Sequence, residues 1–69
     1  MSQIIRNILA KNIQRLRTKK GIKREELSLI LGFDNSYISK LEKSRINITI
    51  DRLEKIADYF EVDVYKLLK

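Results

Sequence analysis

The chain has 69 residues with 15 Lys and Arg against nine Asp and Glu, a formal charge of +6, and neither Cys nor His. That length fits one domain that buries only about 60% of its unfolded surface, and it excludes disulfides and the usual zinc ligand sets as staples, leaving helix packing or dimerisation to hold it together. No run approaches the roughly 20 apolar residues of a membrane span, and no signal-peptide core follows Met1-Ser2-Gln3, so a soluble, cytoplasmic protein is expected.

The charge is unevenly placed: the first 24 residues carry eight basic groups and no acidic one, and the last 24 carry four basic and five acidic. One positive and one nearly neutral face are expected, the first suited to a polyanion and the second to protein. There is no Pro, only two Gly, and no repeat or low-complexity run, so the natural reading is a single helical unit over residues 1–69.

In chain order, Ile5, Leu9, Ile13 and Leu16 recur at spacings of four, four and three, which predicts a first helix over about residues 3–19, closed by Gly21 after Lys19 and Lys20. Glu25 and Glu26 suit the start of a second helix over about 24–31, with Leu27, Ile30 and Leu31 as its buried stripe and Gly32 as its stop. Asp34 or Asn35 offers a cap for a third helix over about 35–43 carrying Tyr37, Ile38 and Leu41. After a polar break at 44–47, Ile50, Leu53, Ile56, Ala57 and Phe60 step again by three and four, predicting a fourth helix over about 50–60 capped by Thr49. Val62, Val64, Tyr65 and Leu68 suggest a short terminal turn or helix. The expected fold is all-α, a compact bundle of five short helices.

The second and third helices meet the demands of a helix-turn-helix over about residues 24–43. Two short helices that cross steeply need a small residue where they touch, here Ser28, and a residue tolerant of positive φ in the turn, here Gly32. Leu27, Leu31, Phe33, Ile38 and Leu41 fill the angle. Amphipathic helices bury Leu and Ile anyway, so Ser28 and Gly32 carry most of the discrimination.

With those positions fixed, Asn35, Ser36, Tyr37, Ser39 and Lys40 are expected on the exposed side of the third helix. Asn pairs with adenine, Lys donates to guanine N7 and O6, Ser contacts either, and a Tyr ring touches a thymine methyl or its hydroxyl a phosphate. Taken singly, each is more often an ordinary surface residue; together on a recognition helix they are the candidate base contacts. Arg24 at the start of the second helix, with Lys43, Arg45 and Asn47 beyond the third, are the candidate phosphate contacts, which set register without reading sequence. The cluster of Lys19, Lys20 and Lys23 is better read as a solvated face.

These residues resemble the Cro/lambda-repressor-like, or XRE, helix-turn-helix family from about residue 13 to residue 68. The likeness runs through Leu16-Arg17, Glu26-Leu27-Ser28, Gly32-Phe33, Tyr37-Ile38-Ser39-Lys40-Leu41-Glu42 and Leu53-Glu54-Lys55-Ile56-Ala57. The resemblance implies a lambda-repressor-like DNA-binding domain and a structural ion pair between Arg17 and Glu42. The sequence departs from the family pattern at Lys23, usually Ser or Thr, Arg24, usually Gln, Ser44, often Gly, and Ile48, usually Pro. The last departure, with Asp34-Asn35-Ser36-Tyr37-Ile38-Ser39 and Asn47-Ile48-Thr49-Ile50, is similar to the controller proteins of restriction-modification systems, small dimeric regulators that bind their own promoters.

A helix this short reads only about four or five base pairs, so a homodimer on two half-sites one DNA turn apart, a palindromic operator, is expected. The C-terminal helices, about 50–68, are expected to serve both core and dimerisation, with Ile48, Ile50, Tyr59, Val62, Val64 and Tyr65 as interface candidates. Alternatives are an antitoxin-type or a phage-type repressor of the same fold. An enzyme is not expected, because the usual nucleophile, general-base, metal and phosphate-loop sets are missing. No cofactor or metal is implied, and without a ligand-binding domain no small-molecule effector is expected.

Overall fold

In the computed structural model, which describes residues 2–69, Ser2 opens the first helix, α1 (Gln3–Lys20), its Oγ accepting from Ile5 N at 3.2 Å. The remaining elements are α2 (Arg24–Ile30), α3 (Tyr37–Glu42), α4 (Ile50–Phe60) and a single turn, α5 (Val64–Leu67). The described residues contain no strand. No helix among them is long and apolar enough to cross a membrane.

The first four helices end in the same way. After each, one residue adopts positive φ and the next donates its N–H back to a carbonyl five residues earlier: Ile22 to Arg17, Phe33 to Ser28, Arg45 to Lys40 and Val62 to Ala57, at 2.8–3.2 Å. The positive-φ residue itself donates to the carbonyl three residues before it, at 3.0–3.1 Å, so two hydrogen bonds satisfy carbonyls that the helix leaves open. Glycine takes the positive φ at Gly21 (72°) and Gly32 (76°), but Ser44 (60°) and Glu61 (56°) fill the same role with a Cβ. At α2 a further donor joins the cap, Lys55 Nζ reaching Leu31 O at 3.1 Å.

N-termini are less uniform. Thr49 Oγ1 accepts from Arg52 N at 3.2 Å, as the sequence predicts. At α2 only half of a capping box forms: Glu26 Oε1 accepts from Lys23 N at 3.4 Å. The Lys23 side chain has no acceptor to return the bond. α3 departs from expectation, beginning at Tyr37 rather than at 35, because residues 35–36 form a turn closed by Tyr37 N donating to Asp34 O at 3.0 Å. Neither Asp34 nor Asn35 caps it, and Ser36, at the cap position, gives no side-chain bond.

The core gathers Leu9 and Ile13 of α1, Leu27 of α2, Ile38 and Leu41 of α3, Leu53, Ile56 and Phe60 of α4 and Leu67 of α5, joined by Leu31, Phe33 and Ile48 from the connections. α1 packs on α3 and α5, α2 on α3, and α4 on α5. Three apolar expectations are corrected. Ile5 lies on the exposed first turns of α1, and Ile30 is exposed because the inner side of α2 carries Leu27, Ser28 and Leu31, and Ile30 lies about 160° round the helix from Ser28. Ile48, expected at a dimer surface, is a core residue of the monomer at 8% exposure, plugging the bundle from the α3–α4 connection.

α5 is held by a side chain far away in sequence. Asn12 Nδ2 lies 2.8 Å from Leu67 O and 3.1 Å from Lys69 O. One amide from the middle of α1 therefore ties down the final turn, whose Leu67 is fully buried.

Candidate nucleic-acid interface

The angle between α2 and α3 is set by Ser28, which is fully buried where they touch. Its Oγ donates to Arg24 O at 2.9 Å and accepts from Ile38 N at 3.1 Å. The hydroxyl thus supplies from α2 the cap that α3 lacks in its own sequence. A residue larger than Ser would wedge the helices apart, and Ala would leave a buried N–H without a partner. Gly32 meets the second demand through its backbone, since a Cβ there would lie 3.8 Å from the nearest heavy atom, Lys55 Nζ, and only the φ of 76° restricts the position.

With Ile38 and Leu41 turned into the core at 0% and 2% exposure, the other side of α3 faces out. Asn35 and Lys40 are exposed, and Ser36, Tyr37 and Ser39 are half-buried. The structure brings these five together as one polar strip around the N-terminal half of α3. Tyr37 is the least free, its ring centroid 4.8 Å from that of Phe33 and 4.7 Å from the Arg52 guanidinium. Arg52 also stands 4.9 Å from the Phe33 ring. Sequence reasoning missed Arg52, because nothing local places a residue of α4 beside the start of α3.

Glu42, the last residue of α3, is the electrostatic centre of the site, its side chain only 4% exposed. Arg17 Nε donates to Oε2 at 2.7 Å and Arg17 Nη2 to Oε1 at 3.2 Å, and Arg17 Nη1 donates to Ile22 O at 2.7 Å. Arg24 Nε adds a third bond, 2.9 Å to Oε1, from a side chain that is 51% exposed. One carboxylate thus holds two guanidinium groups, with a net charge of +1. Arg24 is fixed through Nε, and both of its Nη atoms make no bond within the described chain. The sequence did not reveal this second pairing.

Lys43 and Arg45 are exposed beyond α3, and neither side chain is bonded within the described residues. Asn47 is exposed as well, but its Oδ1 accepts from Arg6 Nη2. The α3–α4 connection is further tied to α1 by Gln3 Nε2 donating to Ser44 O and Ser44 Oγ donating to Arg6 O, both at 3.5 Å. Among the proposed interface positions near the C-terminus, Ile50 (72%) and Tyr65 (58%) are open to solvent. Tyr59, Val62 and Val64 are half-buried against the core, Tyr59 lying under Lys20 Nζ at 4.6 Å.

The model of the helix-turn-helix family matches residues 13–67. A hypothetical transcription factor of Neisseria meningitidis serogroup B is 39% identical over 66 residues, which cover 96% of this chain and 62% of that relative. The control protein C.SmaI of Serratia marcescens is 33% identical over 64 residues, 93% of this chain and 76% of the relative. Among solved structures, the transcription factor NHTF from Neisseria superposes with a TM-score of 0.88 at 38% identity, over 94% of this chain and 75% of that one. The restriction-modification controller protein C.AhdI of Aeromonas hydrophila superposes with a TM-score of 0.83 at 25% identity, over 94% of both chains.

Proposed function

The chain belongs to the Cro/lambda-repressor-like, or XRE-type, helix-turn-helix family of transcription regulators, and from that premise we propose that it binds a palindromic operator in duplex DNA as a homodimer, as a restriction-modification controller. The observation that carries the reading is the polar strip along α3 and the turn before it: a helix buried on one side by Ile38 and Leu41 and capped from behind by Ser28 leaves Lys40 exposed, with Asn35 exposed and Ser36 half-buried in the turn that leads into it. Such a helix fits the major groove, and those side chains match base-edge donors and acceptors.

In this reading Asn35, Ser36, Tyr37, Ser39 and Lys40 meet base edges. Arg24, Lys43, Arg45 and Asn47 grip phosphates on either side. The Arg17–Glu42 pair supports them from beneath, and its second partner, Arg24, is aimed by the carboxylate that holds it. The dimer contact draws on Ile50 and Tyr65, which are exposed, and on Tyr59, Val62 and Val64, which are half-buried; Ile48 is withdrawn from it by its burial. The controller assignment is supported by the likeness to C.SmaI and C.AhdI over most of each chain. The Neisseria relative, of which this chain spans 62%, favours a more general regulator as the second reading.

Selection of bound sequences from random duplexes, with sedimentation of the free protein and the complex, tests the proposal. The expected result is two inverted half-sites of about four or five base pairs, centred about one DNA turn apart and occupied by two chains. A single unpaired site bound by one chain would reject the dimeric operator.

A further inference from the structure

Resting on the regulator reading above, we infer that Arg52, on the first turn of α4 and outside the helix-turn-helix, is a DNA-contacting residue that works as one unit with Tyr37. Three observations carry this. The Arg52 guanidinium lies against two aromatic faces at the leading end of α3, 4.7 Å from the Tyr37 ring and 4.9 Å from that of Phe33. Arg52 is exposed. Its charge is uncompensated: among the described residues no carboxylate lies within ion-pair distance of Arg52, and its guanidinium donates no hydrogen bond.

The contrast with its neighbour is informative. Lys55 also approaches the Phe33 ring, at 5.7 Å, but its ammonium is used internally, bonded to Leu31 O at 3.1 Å. Arg17 and Arg24 are likewise engaged with Glu42. Among these four cations Arg52 alone lies against ring faces with no ion pair or side-chain hydrogen bond of its own, so its guanidinium N–H groups are left to donate to an anion. The guanidinium stands beside Tyr37, the first residue of α3, where a helix lying in the major groove brings a backbone phosphate. The phosphate and the Tyr37 ring then share one guanidinium, so loss of either side chain weakens the contribution of the other.

The test uses the intact chain, a duplex obtained by selection and a scrambled duplex of equal length, with binding measured across a salt series. Arg52→Gln is expected to lose on the order of tenfold in affinity on both duplexes and to flatten the salt slope by about one unit. Arg52→Lys is expected to keep the slope but not the full affinity, and in a Tyr37→Leu background Arg52→Gln is expected to cost less than in the wild type. Unchanged affinity and slope in Arg52→Gln, or an affinity loss that follows a lowered unfolding midpoint without a change in slope, overturns the contact. Strictly additive losses in the double variant overturn the coupling to Tyr37. A wild-type chain that binds no duplex rejects the regulator reading itself and this inference with it.

Discussion

Ser28 and Ile38 are joined by a buried hydrogen bond of 3.1 Å that runs from the backbone of one helix to the side chain of another. It supplies the missing cap of α3 and fixes the separation of the two helices together. Ser28→Ala is expected to cost about 1–3 kcal/mol, the penalty of an unsatisfied buried N–H. For a chain of this size that lowers the unfolding midpoint by roughly 4–8 °C per kcal/mol. A thermal midpoint within a degree of the wild type would show that the bond contributes nothing.

The two arginines on Glu42 are expected to behave differently. Glu42→Ala leaves Arg17, with a side chain only 9% exposed, charged and unpartnered, and should cost about 3–5 kcal/mol. Arg24→Ala removes a half-exposed partner and should cost under about 1 kcal/mol, while flattening the salt dependence of DNA binding by about one unit. Urea unfolding of both variants decides the first comparison, and equal losses would contradict the burial argument.

Ser44 and Glu61 hold positive φ at the ends of α3 and α4, where α1 and α2 use glycine. A left-handed residue with a Cβ costs roughly 1–2 kcal/mol, partly offset by the greater unfolded-state freedom of glycine. Ser44→Gly and Glu61→Gly are each expected to stabilise the fold by about 0.5–1 kcal/mol. Glu61→Gly should give the larger gain, since it also removes a negative charge from the negative end of α4. Chemical denaturation of each variant measures this, and a loss in both would mean that contacts of the native side chains outweigh the strain.

Asn35→Ala and Lys40→Ala are expected to weaken binding to a selected operator by about 1–3 kcal/mol each and to relax the preference at particular base pairs. Both side chains are exposed, so the unfolding midpoint should stay near that of the wild type. Repeating the random-duplex selection with each variant shows whether a base preference has gone; an equal loss on unrelated DNA would move that residue to the phosphate set.

What could be read from the sequence was what is encoded locally. The bounds of α4, its Thr49 cap and the Gly21 stop all follow from residues within a turn of one another, and the Ser28–Gly32 pair marked the helix-turn-helix by its spacing. The start of α3 at Tyr37 has no local mark, because its cap lies ten residues back, on another helix. Ile48 sits in a connection with no period to reveal which way it faces. Asn12 with Leu67, Arg24 with Glu42 and Arg52 with Tyr37 meet only through the packed fold, and a polar residue on a helix surface carries no mark of so distant a partner.

α3 owes its place to Ile38, Leu41 and the hydroxyl of Ser28, all on its inner side. Positions 35, 36, 39 and 40 therefore have little folding duty and can change their chemistry while the scaffold stays as it is. If those four positions read bases as proposed, descendants of this chain could acquire a new operator by substitution there alone, whereas position 37, packed against Phe33 and Arg52, would drag its neighbours along.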